Sequence, residues 1–209
     1  MVATMKPIHP VYSSVEVLNF TAEMTRLVIK NKVQGDLIEC GVAAGSQLAM
    51  MQQTQLELNE HRNVIGFDSF EGIPYASDKD TEQPAIGAID RTKLGLLEST
   101  GVSAHSLGSV IQNFQTWGVP LDEVTFVKGW FEHTVKEKAN DIEKIALLRL
   151  DGDLYSSTYE CMKYLYPKLS KGGVLIIDDY NLTGCARAIH EFINKKQIKR
   201  IHNIAFYVK

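Results

Sequence analysis

The sequence predicts an α/β fold built on a doubly wound, mostly parallel sheet that ends in a C-terminal antiparallel hairpin. Short apolar runs alternate with amphipathic segments of helical spacing, which is the pattern of such a sheet. Two of these runs, residues 145–150 and 174–177, both stop at carboxylates and are separated by about one helix of sequence, which indicates a βαβ unit. The 209 residues suit one domain. We therefore expect an N-terminal arm and helix over residues 1–34 and a single domain over residues 35–209.

The N-terminal half is expected to supply three helices and three strands. Helical spacing covers residues 14–33, a segment from the turn at residue 46 to about residue 58, and residues 106–117, while the strand-like runs cover residues 36–41, 63–67 and 121–127. Residues 71–90 are polar, small and interrupted by proline, which is typical of a long functional loop and predicts a mobile lid. Residues 128–134 read as an aromatic and charged loop after the third strand.

The C-terminal half completes the sheet. Strands are expected at residues 145–150 and from Val174, with helices at residues 156–169 and 182–193. Residues 198–208 predict a terminal strand pair that turns at His202 and Asn203. The sum is five parallel strands alternating with helices, followed by a hairpin.

Composition narrows the classes of function. The net charge of −3 gives no electrostatic reason to expect a nucleic-acid partner. No run approaches the roughly 18 apolar residues of a membrane span, and residues 1–10 lack the apolar centre of a signal peptide, so we expect a cytoplasmic protein without a membrane partner. Cys40, Cys161 and Cys185 lie far apart without a C-x-x-C pair, which favours buried thiols over zinc or disulfides.

Acidic residues follow both strands of the predicted βαβ unit. Asp151 ends the first, and Asp178 and Asp179 end the second, so the three carboxylates converge if the strands are neighbours. Carboxylates held together repel one another, and a hard divalent cation such as Mg²⁺ is the usual reason to keep them so. The pattern predicts a metal site at the carboxyl edge of the sheet.

A glycine turn after the first strand and an acid after the second suggest a nucleotide-type ligand. Residues 41–46 form a small-residue turn at a helix N-terminus, although the Gly-x-Gly-x-x-Gly fingerprint is absent, and plain loop chemistry remains an alternative. Asp68 is placed to accept hydrogen bonds from ribose hydroxyls, with a turn or N-cap role as its alternative. Trp130 and Phe131 are candidates to flank an adenine ring or to cover the core.

Several blocks of sequence together resemble the macrocin O-methyltransferase family. They occur in family order between about Gly35 and Phe192, and they comprise residues 39–42, 67–72, 128–131, 147–158, 165–169 and 172–180. The resemblance implies a Rossmann-like methyltransferase sheet. It also implies S-adenosylmethionine-dependent, Mg²⁺-dependent methylation of a small-molecule hydroxyl, as on the sugars of antibiotics and related natural products.

The resemblance further implies a division of roles among residues. The residues implied to hold S-adenosylmethionine are Glu39, Gly41, Ser46, Asp68 and Ser69, to which Trp130 and Phe131 add the adenine contact, and Asp151, Asp178 and Asp179 match the metal ligands. A base must accept the hydroxyl proton, and Asp151, Glu132 and His133 are the candidates, with Asp153 a weaker one. Leu154 stands where catechol methyltransferases carry a lysine.

Alternative functions remain open at this stage. A nicotinamide-dependent dehydrogenase is disfavoured because the dinucleotide fingerprint is missing and an acid triad has no role in hydride transfer. A binding module that takes S-adenosylmethionine without turnover is the second alternative, and self-association as a homo-oligomer is left open. The chain begins close to its first helix, whereas longer relatives carry an N-terminal portion that covers the substrate, and Ala43 and Ala44 occupy the turn. We therefore expect a differently closed acceptor pocket.

Overall fold

The computed structural model describes residues 6–80 and 90–209, whose strands form one seven-stranded sheet. The strands are β1 (Asp36–Cys40), β2 (Val64–Asp68), β3 (Val124–Lys128), β4 (Ile145–Leu150), β5 (Leu169–Ile177), β6 (Lys199–Ile201) and β7 (Ile204–Val208). Their order is β3-β2-β1-β4-β5-β7-β6, with β1 to β5 parallel and β7 antiparallel to both β5 and β6. This confirms the predicted fold class and hairpin. The strand order reverses between β1 and β4, where open parallel sheets bind ligands.

In the described parts of the chain, six α-helices cover the two faces of the sheet. They are α1 (Val15–Lys30), α2 (Ser46–Glu57), α3 (Leu107–Trp117), α4 (Phe131–Lys138), α5 (Tyr155–Leu165) and α6 (Thr183–His190). The first three helices pack on one face and the last three on the other, because consecutive strand residues point to opposite sides. Leu147 joins the first core and Leu148 the second. None of the described helices is both long and apolar enough to cross a membrane.

Helix α4 is absent from the sequence predictions, and several predicted boundaries shift; strand β5, for example, begins at Leu169 and not at Val174. The segment predicted as a loop over residues 128–134 instead starts α4 at Phe131. That helix has eight residues and buries Val135 alone, so it carries almost no apolar periodicity to detect. The helix predicted over residues 156–169 ends at Leu165, because Pro167 cannot donate the next helical hydrogen bond and the chain continues as a 3₁₀ turn.

A long excursion, residues 69–106, connects β2 to α3. Within the predicted lid, residues 81–89 lie outside the described residues. The flanking parts pair with each other: the amide of Ile73 donates to the carbonyl of Val102, and the amide of Thr100 donates to the carbonyl of Ile73. Pro74 and Ser99 form an antiparallel bridge. The described parts of the excursion are therefore held by their own backbone hydrogen bonds.

Candidate active site

A cavity opens at the carboxyl edge of the sheet, where the strand order reverses. Its volume is about 970 Å³, including the part open to solvent. Residues 11–13 of the N-terminal arm and residues 72–74 of the excursion form its rim. The predicted site residues that line it are Glu39, Gly41, Ser46, Asp68, Ser69, Trp130, Phe131, Glu132, Asp151, Asp178 and Asp179. The remaining predicted site residue, His133, is exposed on α4 and is not part of the lining.

Asp68 ties the end of β2 to the glycine turn. Its Oδ2 accepts hydrogen bonds from the backbone amides of Val42 at 2.7 Å and Ala43 at 3.0 Å, and its Oδ1 accepts one from the amide of Phe70 at 2.6 Å. Burial raises its pKa, and these backbone bonds oppose the rise. The Ser69 hydroxyl also lies 3.5 Å from Oδ1, but its single proton has a closer acceptor in the Gly72 carbonyl at 2.8 Å. A carboxylate has about four acceptor positions, so Asp68 organises the turn and still has capacity for a ligand hydroxyl.

Gly41 permits close packing between the ends of β1 and β4. Its φ is +95°, and a Cβ atom at this position would lie 1.7 Å from the carbonyl oxygen of Asp151. No side chain fits there. The glycine thus brings the turn and the Asp151 loop into direct contact, whereas the sequence suggested that small residues at this turn serve ligand approach.

Arg149 joins three carboxylates beneath the cavity. Register pairs it with Glu39 on the neighbouring strand, and its Nη1 donates to Glu39 Oε1 at 3.1 Å and to Asp151 Oδ2 at 2.7 Å. Its Nη2 donates to Asp178 Oδ1 at 2.5 Å. The Arg149 side chain is 0% exposed and that of Glu39 is 1% exposed. Sequence reasoning missed this residue, although a charged residue inside the apolar run 147–150 was the available signal, because buried charges require partners.

Burial and crowding disfavour the charged forms of these acids. Burial raises the pKa of Glu39 well above its usual value although Arg149 lowers it, and burial raises the pKa of Asp178 to about 6 despite the same arginine. Burial lowers the pKa of Arg149, but the surrounding carboxylates outweigh this effect, so the pKa is raised. One guanidinium therefore compensates only part of the acidic charge.

Asp151, Asp153 and Asp179 form a compact acidic group among the described residues. Each offers one oxygen, and these oxygens lie within 4.8 Å of one another. The backbone amide of Asp153 donates to Asp179 Oδ2 at 2.8 Å. Burial together with neighbouring carboxylates raises the pKa of Asp153 to about 7 and that of Asp179 well above its usual value. The geometry thus groups Asp153, rather than Asp178, with the other two predicted ligands, while Asp178 commits one oxygen to Arg149.

The acidic group has the chemistry of a Mg²⁺ site. All donors are carboxylate oxygens, which hard cations prefer. Ligands around an octahedral Mg²⁺ lie about 3.0 Å apart when adjacent and about 4.2 Å apart when opposite, from Mg–O distances near 2.1 Å. The three carboxylate oxygens, which lie within 4.8 Å of one another, are close to this range of separations.

Three cavity-lining residues, Glu39, Gln47 and Glu132, carry a buried side-chain oxygen that has no hydrogen-bond partner among the described residues. The atoms are Glu39 Oε2, Gln47 Oε1 and Glu132 Oε1. Burial raises the pKa of Glu132. An orphaned buried acceptor is costly unless a ligand satisfies it, so these positions fit a ligand that brings hydrogen-bond donors.

Comparison with known proteins identifies a matching family. The family model described as Macrocin-O-methyltransferase (TylF) matches residues 15–207. A Streptomyces olivaceus protein named 8-demethyl-8-(2,3-dimethoxy-alpha-L-rhamnosyl)-tetracenomycin-C 4'-O-methyltransferase is 39% identical over 166 residues, which is 79% of this chain and 60% of that protein. Demethyldecarbamoylnovobiocin O-methyltransferase of Streptomyces niveus is 36% identical over 176 residues, covering 82% of this chain and 63% of that protein. The chain thus spans about three fifths of the length of these relatives.

Solved structures share the fold. The O-methyltransferase NovP superposes with a TM-score of 0.77 at 31% identity, covering 94% of this chain and 80% of that one. The calicheamicin methyltransferase CalS11 superposes with a TM-score of 0.73 at 20% identity, covering 92% of this chain and 78% of that one. The second similarity establishes a common fold.

Proposed function

The chain belongs to the macrocin O-methyltransferase family, and on that basis we propose that it transfers a methyl group from S-adenosylmethionine to a hydroxyl of a small molecule in a Mg²⁺-dependent reaction. We propose a sugar of a natural product as the acceptor, because the relatives are named for acceptors such as a rhamnosyl tetracenomycin and demethyldecarbamoylnovobiocin. One observation carries the proposal. A single cavity combines a glycine turn with a three-carboxylate group whose members lie within 4.8 Å of one another.

The cofactor residues are proposed on the wall formed by β1, β2 and β3. S-adenosylmethionine, when bound, supplies the methyl group on a positively charged sulfur atom. Asp68 has acceptor capacity left for the ribose hydroxyls, and Glu39 Oε2 offers an unpaired acceptor for the methionyl ammonium group. Gly41, Ser46 and Ser69 complete this wall, with Trp130 and Phe131 beside the adenine.

The metal residues are proposed on the wall formed by β4 and β5. Bound Mg²⁺ would lower the pKa of the acceptor hydroxyl and neutralise the acidic charge. Asp151 and Asp179 belong both to the ligand set implied by the family and to the group defined by geometry. Asp178 is the third ligand by family resemblance, and Asp153 is the third by proximity.

The base is proposed to be Asp151, because its carboxylate borders the cavity within the acidic group. Glu132 remains a candidate through its unpaired, cavity-lining oxygen. His133 is the weakest of the three, because its exposed side chain lies outside the cavity lining. A cytoplasmic location and assembly into a homo-oligomer stay predictions.

The direct test is methyl transfer by the purified chain. It would be incubated with S-adenosylmethionine, Mg²⁺ and the acceptors named for the relatives, demethyldecarbamoylnovobiocin and mycinamicin III, and products would be measured by mass spectrometry. Calorimetry with S-adenosylhomocysteine supplies the acceptor-independent measurement. The proposal predicts that the chain binds S-adenosylhomocysteine and that it forms methylated product in the absence of EDTA but not in its presence. Absence of S-adenosylhomocysteine binding, or turnover that is undiminished in EDTA, would contradict it.

A cofactor-binding module without turnover is the second candidate function, and one observation favours it. Arg149 supplies an internal cation for Glu39, Asp151 and Asp178, so these acids do not by themselves require a metal. Binding of S-adenosylhomocysteine together with an absence of Mg²⁺ binding would support this candidate. Tight binding of Mg²⁺ by the acidic group would exclude its premise.

A further inference from the structure

Helix α5 receives its N-terminal cap from a distant part of the chain. The residue at its own N-cap position is Leu154, which provides no side-chain hydrogen bond. Instead, Oδ1 of Asp80 accepts the backbone N–H of Tyr155 at 2.7 Å, across 75 residues of sequence. An acidic side chain at this position accepts a hydrogen bond from an otherwise unpaired amide. Its negative charge also interacts favourably with the positive end of the helix dipole. This cap comes from the β2–α3 excursion.

The Asp80 carboxylate occupies a recess between helices α5 and α6. Its Oδ2 accepts hydrogen bonds from the backbone amide of Ser77 at 3.0 Å and from the Ser77 hydroxyl at 2.6 Å, and the residue is 2% exposed. A Cβ atom on Gly184 of α6 would lie 1.9 Å from Asp80 Oδ1. The glycine therefore leaves the space that the carboxylate occupies between α5 and α6.

Neighbouring contacts attach the same end of the excursion to these two helices. Arg187 of α6 donates from Nη1 to the carbonyl of Lys79 at 3.1 Å. The Lys79 ammonium lies 3.8 Å from the centre of the Tyr155 ring. Ala76 and Leu154 form a small buried apolar cluster. The excursion thus begins at the cofactor wall, lines the cavity with residues 72–74, and is fastened beside the acidic wall.

The capped amide lies two residues after the acidic turn. Asp153 adopts φ +56°, a conformation that costs energy for a residue with a side chain and persists only when its surroundings fix it. Its amide is held by Asp179, and the Leu154 amide donates to the carbonyl of Gly152 within the turn. The Tyr155 amide is held by Asp80. We propose that Asp80 is a positioning residue, which holds the Asp151–Asp153 turn and the adjoining cavity wall in the arrangement needed for metal binding. This inference rests on the proposed function.

Amide exchange tests the cap itself. Asp80→Ala is expected to raise the exchange rates of the Tyr155 and Asp153 amides about tenfold, because an N-cap is worth about that factor. Asp80→Asn keeps an oxygen for the Tyr155 amide and should restore most of the protection. Asp90→Ala is the matched control, since Asp90 lies in the same excursion and its side chain accepts hydrogen bonds from Thr92 alone among the described contacts. Unchanged exchange at Asp153 in Asp80→Ala would overturn the positioning role.

A double-mutant cycle tests the recess and covers the case in which Asp80→Ala folds poorly. Gly184→Ala should displace the carboxylate and reproduce the effect of Asp80→Ala on the Tyr155 amide. In the Asp80→Ala background the same glycine substitution should add less than about a twofold change, since the clashing oxygen is gone. Equal effects of Gly184→Ala in both backgrounds would overturn the proposed contact.

Metal binding separates a positioning role from a purely structural one. Mn²⁺, followed by electron paramagnetic resonance, serves as the probe of the acidic group, and S-adenosylhomocysteine serves as the probe of the cofactor wall. Asp80→Ala should lower Mn²⁺ affinity at least fivefold while S-adenosylhomocysteine affinity changes less than about twofold. Equal losses of both ligands, or of neither, would overturn the inference. If the wild-type chain binds no Mn²⁺, the metal-dependent function fails, while exchange at Asp153 still decides whether Asp80 fixes the turn.

Discussion

The two walls of the cavity satisfy their polar groups in different ways. On the wall formed by β1 and β2, the Asp68 carboxylate accepts three backbone N–H groups and completes the glycine turn. On the wall formed by β4 and β5, one guanidinium faces several carboxylates, and the pKa values of Asp153, Asp178 and Asp179 are raised by burial. The turn amides of the first wall are satisfied as the chain folds, whereas the second wall holds more carboxylates than its one guanidinium can neutralise.

Under the proposed function, this difference suits two kinds of ligand. A cradle of backbone amides fixed by an internal carboxylate is rigid before a cofactor arrives, which reduces the entropy lost on binding. Crowded carboxylates instead store repulsion that a cation relieves, so binding energy is gained where charge is neutralised. Arg149 offsets part of this repulsion through its ion pairs with Asp151 and Asp178.

The largest effect is expected from removing the Arg149 guanidinium. Arg149→Met leaves Glu39, Asp151 and Asp178 without their buried counter-ion, and we expect a loss of about 3–5 kcal/mol in unfolding free energy and a fall of about 10 °C in Tm. Thermal and denaturant unfolding measure it. Arg26→Met is the control, because Arg26 and Glu57 form an exposed pair worth at most about 1 kcal/mol. Similar losses in both variants would refute the role assigned to Arg149.

Asp178→Asn should separate chemistry from cofactor binding. We expect methyl transfer to fall about 100-fold to 1000-fold, equivalent to about 2.7–4 kcal/mol, because the acidic wall loses a carboxylate that contacts Arg149. Affinity for S-adenosylhomocysteine, measured by calorimetry, should stay within about twofold. Asp153→Asn under the same assays distinguishes the ligand set defined by geometry from the one implied by the family. Parallel loss of transfer and cofactor affinity would show that the two walls are wrongly divided.

Adding Mg²⁺ should sharpen the contrast by completing the acidic wall. At about 100 times its dissociation constant, Mg²⁺ should add about 2.7 kcal/mol to the free energy of unfolding. The measurement is Tm against MgCl₂, with NaCl at equal ionic strength as control. Asp179→Asn should abolish most of the increase, because Asp179 belongs to the three-acid group. An equal response to both salts would argue that no specific site exists.

Asp68→Asn should affect the cofactor wall. The amide retains one acceptor oxygen, so either the turn amides or the Phe70 amide loses its partner. We expect about a tenfold loss of S-adenosylhomocysteine affinity and about 1–2 kcal/mol of stability. Asp36→Asn is the control at the opposite end of β1, where Asp36 accepts from Asn63. Unchanged cofactor affinity would remove Asp68 from the ribose role.

The smallest effect is expected from the exposed histidine. His133→Ala should change kcat/KM less than about twofold, because its side chain lies outside the cavity lining, whereas Glu132→Gln should lower it about tenfold through the buried oxygen it alters. Initial rates with a fixed acceptor compare the two variants. A larger loss in His133→Ala than in Glu132→Gln would restore the histidine as the base.

Much of the fold and part of the site could be read from local patterns. Apolar runs that end at acids predicted the strands. Because the carboxyl ends of parallel strands share one edge of the sheet, the sequence also predicted that Asp68 and Asp151 lie near each other, and both line the same cavity. Helix α4 was not predicted, because Val135 is its single buried residue and leaves no apolar periodicity to detect. A metal was predicted from the mutual repulsion of the acids. That interpretation did not consider Arg149, because its partners lie on three different strands or strand ends.

Sequence patterns alone predicted the strands, five of the six described α-helices, the acids at the strand ends and the glycine turn, because these patterns depend on residues that are neighbours in the chain. The tertiary structure alone decided which charges meet: that Arg149 pairs with Asp178, that Asp153 joins Asp151 and Asp179, and that Asp80 caps a helix 75 residues away. Such pairings depend on strand register and on packing distances of a few ångströms, and no local pattern of residues encodes them.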